Sequence, residues 1–221
     1  MKKLREAFTF IEVIIVMVLL GILASLAISA NKRDLRQEAI LHMLTMIRYT
    51  QFLAIHDNQY ENNDTRWLRK LWRFGIYKCS GGNDLYYIIG SDKDKGGNID
   101  LNEAATDPSN QKKIYWNGSR PCPKGNMDEI NWDVSPNMFI TRKYGISNVK
   151  FEGGCTSSHV GFDHIGRAYS SFTSVNSTDH SKLIKSDCKI TFSFKNSSFA
   201  PFSIIIKRES GYAYLENNPN I

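Results

Sequence analysis

The residues best placed for chemistry form one run: Asp92-Lys93-Asp94-Lys95-Gly96-Gly97-Asn98-Ile99-Asp100-Leu101-Asn102-Glu103. It sets oxygen ligands on alternate residues and closes on a glutamate. A twelve-residue loop that wraps a calcium ion needs that spacing, with a glycine at its sixth position for the sharp turn. Asp92, Asp94, Asp100 and Glu103 would supply carboxylates and Asn98 a backbone carbonyl. Gly97 would take the turn, and Ile99 would point inward. Gly96 departs from the pattern, since Asp or Asn normally provides a ligand there. A water in its place and weak affinity are expected. The plain alternative is an acidic, glycine-rich loop with no ion.

Other chemistry is thinly supported. Cys79, Cys122, Cys155 and Cys188 contain no Cys-x-x-Cys pair, so a zinc or dithiol redox centre is disfavoured. An even count in an oxidising compartment suggests two disulfides, and four cysteines allow three pairings that sequence alone does not select. Cys79–Cys122 with Cys155–Cys188 is favoured here, because each pair then encloses one contiguous segment of strand-rich chain. His159 and His164 are read as lying on one strand and facing opposite sides, which rules out a shared metal on one strand face. Gly-x-Ser-x-Gly, a phosphate loop and His-Glu-x-x-His are all absent. The chain is expected not to be an enzyme.

The 221 residues as a whole are 42% hydrophobic and 23% charged, an ordinary globular mix that excludes collagen-like and wholly disordered chains. The apolar residues are unevenly spread. Residues 8–30 carry one charge, Glu12. As a helix that run reaches about 34 Å, against about 30 Å for a bilayer core. Lys2, Lys3 and Arg5 precede it with only Glu6 opposing, which holds that end on the cytoplasmic side and sends the rest across. The remaining positive charge, out of a formal +6, is too diffuse to argue for nucleic acid by itself. Ala24-Ser25-Leu26-Ala27 could be a signal-peptidase site. Against that stand the length of the run and an ionisable Glu12 near its entrance, where a charge is costly unless it has a role.

Lys2-Lys3-Leu4-Arg5-Glu6-Ala7 followed by Phe8-Thr9-Phe10-Ile11-Glu12-Val13 resembles the cleavage and methylation segment of type IV prepilins. The resemblance covers about 25 residues. It implies that a prepilin peptidase cuts between Ala7 and Phe8 and methylates the new terminus, leaving Glu12 fifth in the mature chain. Ala7 stands where that family usually has glycine, and Ser29 stands near its usual proline. A carboxylate among apolar helices needs a cation. Under this resemblance the α-amino group of Phe8 on a neighbouring subunit would provide it.

The helix is expected to continue beyond the membrane over 31–60, with Leu35, Ile40, Met43, Leu44, Ile47 and Ile55 as an apolar stripe. Asp57–Thr65 reads as its exit. Asn63-Asp64-Thr65 is a formal glycosylation sequon whose modification is not expected. Strands are read at 71–77, 85–89, 148–151, 160–162, 189–194, 202–208 and 212–215, the last two as a hairpin around Glu209-Ser210-Gly211. The fold class is therefore α+β: a long N-terminal helix, transmembrane in its first half, packed on a C-terminal antiparallel sheet. The organisation is leader 1–7, span 8–30, helix 31–60 and a periplasmic head 61–221. Phe162-Asp163-His164-Ile165-Gly166-Arg167-Ala168-Tyr169 and the terminal hairpin also resemble the heads of type II secretion minor pseudopilins.

Two functions compete. One is a minor pilin or pseudopilin, a filament subunit of a pilus or a type II secretion system, with prepilin peptidase, other pilins and an inner-membrane assembly platform as partners. The alternative is a head that captures DNA for uptake. It would use Lys195, Lys207 and Arg208 on phosphates, with Tyr212 and Tyr214 as stacking surfaces.

Overall fold

A computed structural model describes residues 10–30, 34–124 and 133–216, giving the backbone alone within 23–30. The chain divides between Leu35 and Arg36 into two compact units. The first holds helix α1, Phe10–Ala30. Its sequence is apolar on every face, a pattern that suits lipid or close neighbours rather than one-sided packing. Phe10, Ile11 and Val13–Leu20 are all exposed in the isolated chain. Among the described residues no helix is long and apolar enough to cross a membrane.

The second unit begins one residue into α2, Leu35–His56. Asp34 is outside any helix and residues 31–33 lie outside the described residues, so the helix expected over 8–60 is described as two elements, the second ending at His56 rather than at 60. Ala39, Ile40, Met43, Met46, Ile47 and Ala54 are buried, close to a 3.6-residue stripe. Ile55, expected on that stripe, is instead exposed. Successive helical side chains point about 100° apart, so burying Ala54 turns Ile55 outward. The helix ends where the Asp/Asn-rich exit begins, with the Asp57 amide donating to the Leu53 carbonyl.

Eight strands follow: β1 (Trp72–Lys78), β2 (Leu85–Gly90), β3 (Ile146–Gly153), β4 (His159–Phe162), β5 (Ala168–Tyr169), β6 (Cys188–Phe194), β7 (Phe202–Ile206) and β8 (Ala213–Leu215). They form two four-stranded sheets, β2-β1-β4-β5 and β3-β6-β7-β8, rather than the one sheet expected. All the pairings are antiparallel. β6 alternates buried and half-buried residues, as a strand with one face on the core does. β2 is buried along its whole length. One apolar cluster joins Ile40, Met43 and Ile47 of α2 to Phe74, Tyr87 and Phe162 of the first sheet and Ile190, Phe192 and Ile204 of the second. Arg48 of α2 reaches β8, donating from Nε to the Ala213 carbonyl at 2.9 Å and standing over the Tyr212 ring.

Between β2 and the short helix α3 (Ile140–Tyr144) lies a strand-poor segment. It borders β2 through the Ala105 amide, which donates to the Ile89 carbonyl at 2.8 Å. Its buried centre is Asp107, fully inaccessible. That carboxylate accepts from the Ser109 amide and hydroxyl, the Ser135 hydroxyl and the Asn137 amide group. Cys79 is joined to Cys122 at this segment's base, and Cys155 to Cys188 at the β3–β6 end of the second sheet.

Candidate functional site

Ala7 and Phe8 lie outside the described residues. Glu12 stands in the first turn of α1, where a carboxylate is favoured by the positive end of the helix dipole.

The acidic loop leaves β2 at Gly90 and closes at Glu103. Single potential ligand atoms of Asp92, Asp94 and Glu103 lie within 4.8 Å of one another. Local hydrogen bonds set this arrangement. The Gly97 amide donates to Asp92 Oδ2 at 2.8 Å, and the Gly96 amide to Asp94 Oδ1 at 2.7 Å. Glu103 accepts the Asp94 amide on Oε1 and the Asp100 amide on Oε2, at 3.1 and 2.9 Å. Gly97 has φ +98°, a backbone state that side-chain-bearing residues rarely adopt. Ile99 is buried and lies against Gly90. Asp100 stands outside the three-carboxylate cluster and is exposed, as is Asn98.

The charges around the loop are arranged unevenly. Asp92 is wholly buried, and its Oδ1 has no hydrogen-bond partner. Burial pushes its carboxyl above the usual range and Asp94 adds to that, while the Gly97 amide and Arg73 pull it back. The loop's own lysines face away. Lys93 pairs with Asp57 at 3.1 Å, and Lys95 with Asp64 at 2.6 Å. Beneath the loop, Arg73 of β1 is 2% exposed. Its Nη2 donates to the Gly97 carbonyl at a long 3.5 Å, while Nε and Nη1 have no partner. Burial lowers its pKa, against the pull of Tyr77, Asp92 and Glu103. Sequence reasoning missed Arg73, because a lone arginine in the aromatic run Trp72-Arg73-Phe74 carries no motif. Gly97 and Ile99 also form a wall of a cavity of about 560 Å³, with Arg73, Tyr77, Trp116 and His159 around it.

Of the three expected nucleic-acid contacts, Lys195 is exposed just past β6, and the other two lie in ion pairs. Lys207 pairs with Asp187 at 2.8 Å, and Arg208 with Glu209 at 3.2 Å. Tyr212 and Tyr214 stack on each other and on neighbouring cations. His164 lies beyond the end of β4 rather than on the strand with His159, packing near Tyr60.

The prokaryotic N-terminal methylation motif matches residues 2–28. No curated protein and no solved structure matches the chain. That motif begins with the basic residues before the apolar run and extends through most of α1, with Glu12 inside it. This N-terminal signal is of the type IV prepilin-like kind and supports a type IV pilin-like protein.

Proposed function

We propose that the chain is a minor pilin or pseudopilin, a structural subunit of a type II secretion or type IV pilus filament, and that it performs no catalysis itself. The methylation motif over residues 2–28 carries this reading. Prepilin peptidase removes residues 1–7 and methylates Phe8. Residues 8–30 hold the subunit in the inner membrane, and the head stands in the periplasm. Two further features support the reading. The exposed apolar surface of α1 would be covered by lipid before assembly and by neighbouring helices afterwards. Two disulfides in the head suit an oxidising compartment. In the filament Glu12 pairs with the α-amino group of Phe8 on an adjacent subunit, which offsets the cost of a carboxylate among apolar side chains. Intact mass of the mature protein tests the reading. Loss of residues 1–7 with one added methyl is expected. A terminus at Ser25 or Ile28 would instead mark an ordinary signal peptide.

A further inference from the structure

We propose that the loop from Asp92 to Glu103 is a calcium site, its ion held by Asp92 Oδ1 and the carboxylates of Asp94 and Glu103. Calcium lies about 2.3–2.6 Å from its oxygen ligands, so two ligands on opposite sides of one ion are up to about 5 Å apart. The three carboxylates fall inside that limit, within 4.8 Å of one another. Clustering alone would be weak ground, since exposed acids gather without an ion. The buried Asp92 Oδ1 is a separate observation. It is shut from water and lacks a donor, a state that is unfavourable for a carboxylate unless a cation completes it.

The nearby cations do not remove that cost. Lys93 and Lys95 are turned to Asp57 and Asp64. Arg73 lies close enough to influence Asp92 and Glu103 electrostatically, yet hydrogen-bonds neither, spending its one bond on the Gly97 carbonyl. Three carboxylates against one guanidinium leave two negative charges, the complement of a divalent ion. Oxygen-only donors favour calcium or magnesium over softer metals. The loop's open, partly exposed side favours calcium, because magnesium demands near-ideal octahedral geometry at shorter distances. With no side-chain ligand at Gly96, waters complete the shell and the affinity falls in the range of extracellular modules, about 0.1–1 mM.

The test uses the full chain in detergent, titrated with calcium by calorimetry and melted with calcium, with magnesium and with chelator. One ion per chain is expected, together with a melting midpoint raised by calcium and much less by magnesium. Asp94→Asn alters an exposed side chain and should fold normally, whereas Glu103→Gln keeps only one of the two oxygens that accept the Asp94 and Asp100 amides. Both should weaken binding roughly tenfold or more. Absence of binding at millimolar calcium, with identical melting in chelator, would overturn the site. So would an unchanged affinity in Asp94→Asn, since the ion would then lie elsewhere.

Discussion

A Cβ on Gly211 would stand 2.0 Å from the carbonyl oxygen of Gly166. Gly211 lies in the β7–β8 turn and Gly166 in the β4–β5 turn, so two different sheets meet here backbone to backbone. Gln51 of α2 spans the junction, its amide donating to the carbonyls of Gly166 and Ser210 at 2.8 Å each. Both glycines have positive φ, +84° and +66°.

Gly211→Ala therefore combines a clash against backbone with a left-handed conformation, and about 3 kcal/mol of stability should be lost. Gln51→Ala leaves both carbonyls without their donor and should cost about 1–2 kcal/mol. Urea midpoints of the two variants check this. If Gly211→Ala matches wild type, the sheets do not touch at that point.

Asp107→Ala should be among the most damaging polar substitutions, at about 3–5 kcal/mol. Five donors from four residues, Ser109, Asn110, Ser135 and Asn137, converge on that buried carboxylate. Although burial alone would raise its pKa, the Ser135, Ser109 and Asn137 bonds hold it below the ordinary value. Asp107→Asn should also destabilise, because an amide cannot accept on both sides. Chemical denaturation at neutral pH measures both.

Acidification should weaken the fold through two histidines. Burial lowers His42 from 6.5 to about 4, with Lys143 adding to the shift and Asp107 and Glu38 opposing it. His159 is likewise lowered to about 4, by burial and by Arg73. Below about pH 6.5 the unfolded imidazoles take up protons while the folded ones do not, so the unfolded state binds more protons and stability falls with pH. The loss runs from about pH 6.5 down to about 4, on the order of 3 kcal/mol per group. Above 6.5 neither histidine should contribute a slope. His42→Gln should flatten part of the curve of unfolding free energy against pH.

Glu12→Ala should leave cleavage and membrane insertion intact while lowering recovery of the subunit in sheared filaments. Ala7→Leu, by contrast, should block cleavage, because a bulky residue then stands at the scissile bond. Normal filament incorporation of Glu12→Ala would remove the intermolecular pair from the assembly mechanism.

The strands were readable because their signals are local. The aromatic and β-branched runs at 72–78, 85–90, 188–194 and 202–206 alternate with Gly, Asn and Ser clusters. The division into two sheets was not readable. It depends on β4 pairing with β1 and β3 with β6, contacts far apart in sequence that no local pattern encodes. α3 and the two-residue β5 were missed because so few residues carry no period. The loop glycine and the closing glutamate were visible as spacing. Neither the burial of Asp92 nor the guanidinium beneath it could be seen, since both come from a neighbouring strand and the insertion packed over it.

The two disulfides are sequential rather than nested, with separations of 43 and 33 residues. Consider a chain threaded into an oxidising compartment from its N-terminal side. Cys79 and Cys122 emerge together before either later cysteine is present, and Cys155 meets Cys188 after the first pair has closed. Each thiol then finds its native partner by order of arrival. Oxidation during translocation should give this connectivity without an isomerase, whereas a fully reduced, released chain must choose among three pairings.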